Sequence, residues 1–135
     1  HDRFFLDRSA DIYLSEADIA ELAQAKGANS AGIKIVLDRA GLTLEQIERL
    51  YLAGGFARYL DPRAARGIGM IPDVSEGCIR QIGNAALEGA SIALCSVPHR
   101  ALLDEMVTNA EHLELEMDEN FFDYYVDGCL FAGID

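Results

Sequence analysis

The sequence predicts an α/β domain with a mostly parallel sheet flanked by helices. Three observations carry this. Short apolar runs alternate with helix-length segments, two of those runs end in glycine turns, and most of the helical segments open on a capping residue or a proline. The 135 residues, half of them hydrophobic and a quarter charged, suffice for one domain with one core, residues 1–135.

The elements follow in order. Residues 10–14 (Ala-Asp-Ile-Tyr-Leu) predict a short strand. Ser15 with Asp18 three residues later forms a capping box, and the helix it opens runs to Ala40, where Gly41 stops it. Thr43-Leu44-Glu45-Gln46 is a second capping box, opening a short helix through Glu48. Arg49 to Ala53 predicts a buried strand ending at Gly54-Gly55. Asp61-Pro62 starts another short helix, with proline at its first position, and Gly67 and Gly69 end it. Cys78 to Ile82 predicts the next strand. Gly83-Asn84 turns the chain, and Asn84 caps a helix reaching about Leu94. Pro98 opens a further helix to about Ala110. In His112–Met117 apolar and polar residues alternate, which predicts a half-exposed strand. Asn120 to Val126 predicts a closing helical turn or two before Gly128.

Charge and composition exclude several classes. The net charge is −12, from 11 basic and 23 acidic residues, and the only lysines are Lys26 and Lys34. Such a field repels nucleic acid and anionic membranes. No apolar run approaches the roughly 18 residues that cross a bilayer. The opening His1-Asp2-Arg3-Phe4-Phe5 lacks a Met start and any leader pattern, which predicts no signal peptide and a piece cut from a longer chain. Cys78, Cys95 and Cys129 are far apart and odd in number, so neither a disulfide framework nor a four-thiolate cluster is expected. Free thiols of this kind fit the cytoplasm. His99 and His112 have no partner at ligand spacing, so no metal site is expected. No GxSxG, Walker lysine loop or HExxH is present, and no catalytic residue is assigned.

Three places could hold a ligand. Gly54-Gly55-Phe56 follows a strand, and its glycines free the backbone to turn and let a flat or anionic group approach; a tight structural turn is the plainer reading. Gly83-Asn84 joins a strand end to a helix N-terminus, a place for an anion or a ribose hydroxyl; a simple N-cap is the plainer reading. Both fall at the C-terminal ends of strands, the edge where open α/β sheets bind ligands. Lys26 lies on the long helix within a face formed by Ile19, Leu22, Asn29, Ile33 and Val36. An ammonium on such a face must reach a partner, either a ribose or phosphate or water at the rim of the core. Phe121, Phe122, Tyr124 and Tyr125 cluster near the end, as core or as a contact surface.

Taken in order, these segments resemble a known family. They are Asp18-Ile19 through Ala25-Lys26 with Ala31-Gly32-Ile33, Tyr51-Leu52-Ala53-Gly54-Gly55-Phe56, Leu60-Asp61 with Ala64-Ala65 and Ile68-Gly69-Met70-Ile71-Pro72, Ile82-Gly83-Asn84-Ala85-Ala86 with Gly89-Ala90, and the closing Val107 to Phe131. The family is that of the ATP-dependent reductive activators of corrinoid proteins, and the likeness spans roughly residues 10–131. It implies a ribonuclease H-like lobe of the fold shared by actin, sugar kinases and heat-shock ATPases, the second lobe and C-terminal part of a longer multidomain protein. It implies ATP with Mg2+, shared with a lobe absent here. It also implies a ferredoxin-like iron–sulfur (2Fe-2S) domain in the parent, and a corrinoid protein of a methyltransferase system as partner. The parent would return Co(II) corrinoid to Co(I), and this portion alone would be inactive. On that template Gly54 and Gly55 correspond to the adenosine motif, and Lys26 and Glu21 lie on the helix beside adenine and ribose; Phe56, Gly83 and Asn84 complete the set of expected cofactor-binding residues. Two departures stand out. Ala57 replaces a glycine that usually follows the phenylalanine, and Gly27 replaces a more usual alanine, at up to about 1 kcal/mol in a helix interior. Two other readings compete: a dimerisation or protein-interaction lobe with a degenerate nucleotide site, and half of a metabolite kinase.

Overall fold

The computed structural model describes residues 3–131. The chain opens on an antiparallel hairpin, β1 (Arg3–Asp7) and β2 (Ile12–Ser15). Asp7 closes it, with its Oδ1 accepting from the backbone N–H of Ser9 at 2.8 Å and of Ala10 at 3.3 Å. The second strand was expected from the sequence; the first was not.

Helix α1 (Glu16–Ala40) forms as its caps predict. Asp18 N–H bonds to Ser15 Oγ and Asp18 Oδ2 accepts from the Ser15 N–H, the reciprocal capping box. Gly41 ends the helix at φ 63°, a left-handed conformation that favours glycine. The second box, Thr43 with Gln46, also forms, but it opens only the 3-10 turn Leu44–Gln46.

Strand β3 (Leu50–Ala53) pairs in parallel with β4 (Ile79–Gly83), and helix α2 (Pro62–Gly67), capped by Asp61, lies in the crossover. A core of Ala65, Ile71, Val74 and Ile79 forms here, with Ile47, Leu50, Leu52 and Leu60 against it. Leu50 and Leu52 face this core while Tyr51 and Ala53 are exposed, so β3 is covered on one side only and is not the buried strand expected. Among the described residues this is the one parallel pair, and each sheet has two strands. The expectation of a mostly parallel sheet missed the hairpin, whose short local turn pairs neighbouring strands antiparallel.

Helices α3 (Ala85–Cys95) and α4 (Val97–Asn109) follow, packed on each other, and neither buries a residue. Val97, Leu94 and Val107 are all more than two-thirds exposed. Residues 112–117 do not form the expected strand. Leu115–Met117 is a 3-10 turn whose N–H groups are satisfied locally, Met117 to Glu114 O at 3.0 Å. The alternation there serves packing, since Leu115 lies under Gly32 of α1. Helix α5 (Phe121–Cys129) closes the described chain and contains Gly128, which was expected to follow it.

Helices α1 and α5 pack face to face. The face α1 buries is Lys26, Gly27, Ser30, Ala31 and Ile35, turned from the stripe read off the sequence; Ile19 and Val36 are 38% and 50% exposed. Small residues explain the shift, because they allow backbones to approach. A Cβ on Gly27 would stand 2.8 Å from the Tyr125 carbonyl oxygen, and one on Gly128 would stand 3.0 Å from both Cα and O of Gly27. Gly27 is therefore required by the crossing, which outweighs its cost in helix propensity. Around the seam, Tyr124 donates to Asp38 Oδ2 at 2.7 Å and Arg39 pairs with Asp118 at 3.0 Å. Phe121 stacks on Tyr125, while Phe122 is 70% exposed.

Candidate functional site

The two glycine turns meet. Gly54 follows β3 with φ 98°, and Gly83 ends β4 with φ 64°; both conformations favour residues without a Cβ. The Gly54 N–H donates to the Gly83 carbonyl at 2.6 Å, extending the strand pair by one bond beyond the last ladder partners, Ala53 and Gly83. The register shifts between Leu52 and Ala53: Leu52 opposes Gln81 and Ala53 opposes Gly83, leaving Ile82 as an extra residue on β4. Such bulges re-aim a strand end.

Strand β4 also ties down the segment after the turn. Gln81 Nε2 donates to the carbonyls of Ala57 at 2.7 Å and Leu60 at 2.8 Å. The Tyr59 N–H closes a turn onto Phe56 O at 3.1 Å. Ala57 is buried and its φ is not positive, so the glycine usual at this position is not needed for backbone conformation here. Phe56 is 74% exposed, its ring held out beside the turn. On the other side of the edge Asn84 caps α3, its side chain accepting from the Leu87 N–H at 3.1 Å, so the positive end of that helix adjoins Gly83.

This edge is open. A Cβ built on Gly54, Gly55 or Gly83 would meet nothing within 4 Å. A cavity of about 430 Å³ lined by Leu44, Ile47, Val74 and Cys78 shares no residue with the turns. The arrangement leaves bare backbone along one edge, with room for a flat ring or a ribose to lie against it.

Lys26 does not serve that edge. The expectation that it reaches a ligand is corrected: it is 1% exposed in the α1–α5 seam, and its ammonium donates to the carbonyls of Gly128 and Leu130 at the end of α5. A cation there meets the negative end of the α5 dipole, with the Phe131 ring 5.4 Å away. Burial lowers its pKa from the usual 10.5. Glu21, also expected near the ligand, stands exposed on α1. Gln81 escaped the sequence reading; the one available signal was an amide two residues before Gly83 on the same strand.

Among the described residues no group of three or more His, Cys, Asp or Glu could hold a metal ion. Cys78, Cys95 and Cys129 are free thiols. No described helix is long and apolar enough to cross a membrane.

Comparison with known proteins places these features. Residues 4–135 match the family model described as the C-terminal domain of RACo, the ASKHA domain. The corrinoid activation enzyme RamQ of Eubacterium limosum is 28% identical over 122 residues, which is 90% of this chain and 21% of that protein. The Co(II) methylated amine-specific corrinoid protein reductase of Methanosarcina barkeri is 28% identical over 120 residues, 85% of this chain and 22% of its own. A solved structure of a reductive activator for corrinoid, iron-sulfur protein superposes with TM-score 0.83 at 36% identity, covering 92% of this chain and 20% of its own. The chain spans about a fifth of the length of these relatives.

Proposed function

Because this chain belongs to the family of C-terminal ASKHA domains of RACo, we propose that it is the second lobe of an ATPase domain in a longer protein, a reductive activator of corrinoid proteins. The observation that carries the reading is the joining of the two glycine turns, through the Gly54–Gly83 bond, at the C-terminal edge of the parallel pair. In open α/β sheets that edge takes ligands.

The residues present fit an adenosine. Gly54, Gly55 and Gly83 leave bare backbone on which a flat base or a ribose can lie, and Phe56 offers an exposed ring beside them. Asn84 and the first turn of α3 supply the positive end of a helix for an oxygen of the sugar or phosphate. Lys26 and Glu21 stay outside this set. Mg2+ and the remaining phosphate contacts belong to a lobe outside the chain, and bound ATP supplies the driving force for an uphill reduction. In the parent, an electron from a 2Fe-2S domain returns Co(II) corrinoid to Co(I), with a corrinoid protein of a methyltransferase system as partner. On this reading the parent works in the cytoplasm, a compartment that keeps free thiols such as Cys78, Cys95 and Cys129 reduced.

A second reading, a dimerisation or interaction lobe, draws on one observation: α3 and α4 bury none of their residues and expose Leu87, Leu94, Val97 and Val107. Calorimetry separates the two. The full-length parent is titrated with Mg2+ and ATP beside a Gly55→Asp variant, which sets a carboxylate on the bare edge. Binding by the parent and at least about tenfold weaker binding by the variant is expected, because the new side chain fills the bare edge and sets an unpaired charge where a base or ribose would lie. A parent that ignores ATP transfers the lead to the interaction lobe.

A further inference from the structure

The loop after the Gly54-Gly55 turn has to return from β3 to α2 across an open edge. Nothing packs on Gly55, and Phe56 and Tyr59 are 74% and 86% exposed. Only Ala57 and Leu60 turn toward the core, so the loop between them depends on hydrogen bonds to stay closed. One is its own turn, Tyr59 N–H to Phe56 O; the two that tie it to a neighbouring strand come from one side chain. Gln81 donates to Ala57 O at 2.7 Å and Leu60 O at 2.8 Å, gripping the loop at both ends of the Phe56–Tyr59 turn. The same strand, two residues on, holds Gly54 through the Gly83 carbonyl.

We propose that Gln81 is a positioning residue of the nucleotide edge, fixing the loop Phe56–Leu60 so that the glycine wall and the Phe56 ring are held ready for an adenosine. This rests on the nucleotide reading above and deepens it. The chemistry requires the residue type. Two carbonyl acceptors need two donors from one planar group, which a glutamine NH2 provides and a carboxylate does not. The bulge is part of the device. The extra residue Ile82 lets Gly83 oppose Ala53 while Gln81 still opposes Leu52, so one strand grips the turn at its start and the loop at its end.

The test uses the full-length parent, with Gln81→Leu and Gln81→Glu. Gln81→Leu keeps the bulk and removes both donors. The expected result is a dissociation constant for Mg2+ and ATP raised about tenfold, with amide hydrogen exchange faster by a similar factor at residues 56–60 and unchanged in α1 and α5. Gln81→Glu is expected to bind as weakly as the leucine variant at pH 8 and to recover part of the affinity, relative to wild type at the same pH, as the pH falls toward the ordinary carboxyl range, where the protonated fraction regains one donor. A glutamine that only stabilised the domain as a whole would raise exchange throughout and not at residues 56–60 alone. Wild-type affinity in Gln81→Leu with unchanged exchange in the loop overturns the proposal, as does a uniform rise in exchange across the domain. If the wild-type parent fails to bind ATP, the nucleotide reading falls, and exchange at residues 56–60 alone decides whether Gln81 pins the loop.

Discussion

Glycine is used in opposite ways in two regions of this molecule. At the α1–α5 crossing, Gly27 and Gly128 let two helix backbones touch, and an added Cβ on either would collide at 3.0 Å or less. At the β3–β4 edge, Gly54, Gly55 and Gly83 face open space, and an added Cβ would meet nothing within 4 Å. In the crossing the space a side chain would take is filled by the protein itself; at the edge it is vacant. The first pattern is what close helix packing requires. Open space alone does not mark a site, since the helix stop Gly41 and also Gly67 and Gly89 face it; what sets the edge apart is that Gly54 and Gly83 meet at the C-terminal end of the parallel pair.

The sharpest way to break this contrast is Gly128→Ala. The new methyl would meet the Ser30 side chain at 2.9 Å and the backbone of Gly27 at 3.0 Å, so the helices must separate. A net loss of about 1–3 kcal/mol is expected from overpacking, even after a gain of up to about 1 kcal/mol in helix propensity. Gly55→Ala is the matched control, with a change within about 0.5 kcal/mol, since its φ is not positive and its surroundings are empty. Urea denaturation midpoints of the two variants decide. Equal losses would erase the distinction between the regions.

Lys26 sharpens the same comparison, because the family resemblance set it beside the ligand and the structure gives it to the crossing. Lys26→Met keeps the length of the side chain and removes the donor to Gly128 and Leu130. Stability is expected to fall by about 1–2 kcal/mol, as two helix-end carbonyls lose a charged partner, while the ATP affinity of the full-length parent stays unchanged. A variant that folds as well as wild type but loses ATP would return Lys26 to the site. The pH dependence gives a second check. The folded-state pKa is lowered by burial, so the unfolded chain binds the proton more readily between that value and 10.5. Through that window Lys26 contributes a rise in stability with rising pH, and the contribution is absent from Lys26→Met.

Why the sequence misassigned Lys26 is instructive. On a helical wheel an isolated lysine among apolar residues looks like an approach to a ligand. Its partners are carbonyls more than a hundred residues away, and no local pattern encodes them. The wheel also missed that Gly27, Ser30 and Ala31 would form the buried face, because small residues carry little hydrophobic weight and gain their importance only when another helix arrives. Elements with local causes were legible. The Ser15 box, the Gly41 stop, the Asp61-Pro62 start and the Asn84 cap all lie where the residues predict them. The α/β class and the family were legible too, the latter through five segments in order. The hairpin strand β1 and the 3-10 turn at Leu115 were not, since pairing partners and packing beneath α1 decide them. At the site, the glycine turns were legible one by one; that they join through a single backbone bond was not, and Gln81 was invisible because its acceptors are backbone atoms without a sequence signature.

The smallest expected effect lies at the rim of the crossing. Asp118 has its pKa lowered first by the backbone N–H of Asn120, at 3.0 Å from Oδ1, and then by Arg39 of α1, whose guanidinium bonds Oδ2 at 3.0 Å. A carboxyl held below its ordinary value of 3.8 contributes stability that is fully present above that value and lost as pH falls through the folded-state pKa. The pair is partly solvated, with Arg39 63% exposed, so salt should weaken the contribution further. Acid titration of the α1–α5 packing, followed by near-ultraviolet circular dichroism of Tyr124 and Tyr125, should therefore show a loss below pH 3.8 that is smaller in Asp118→Asn. The asparagine variant keeps an oxygen for the Asn120 N–H but carries no charge for Arg39. Two identical acid transitions would mean that the ion pair adds nothing, and that the glycine contact and Lys26 hold the crossing without it.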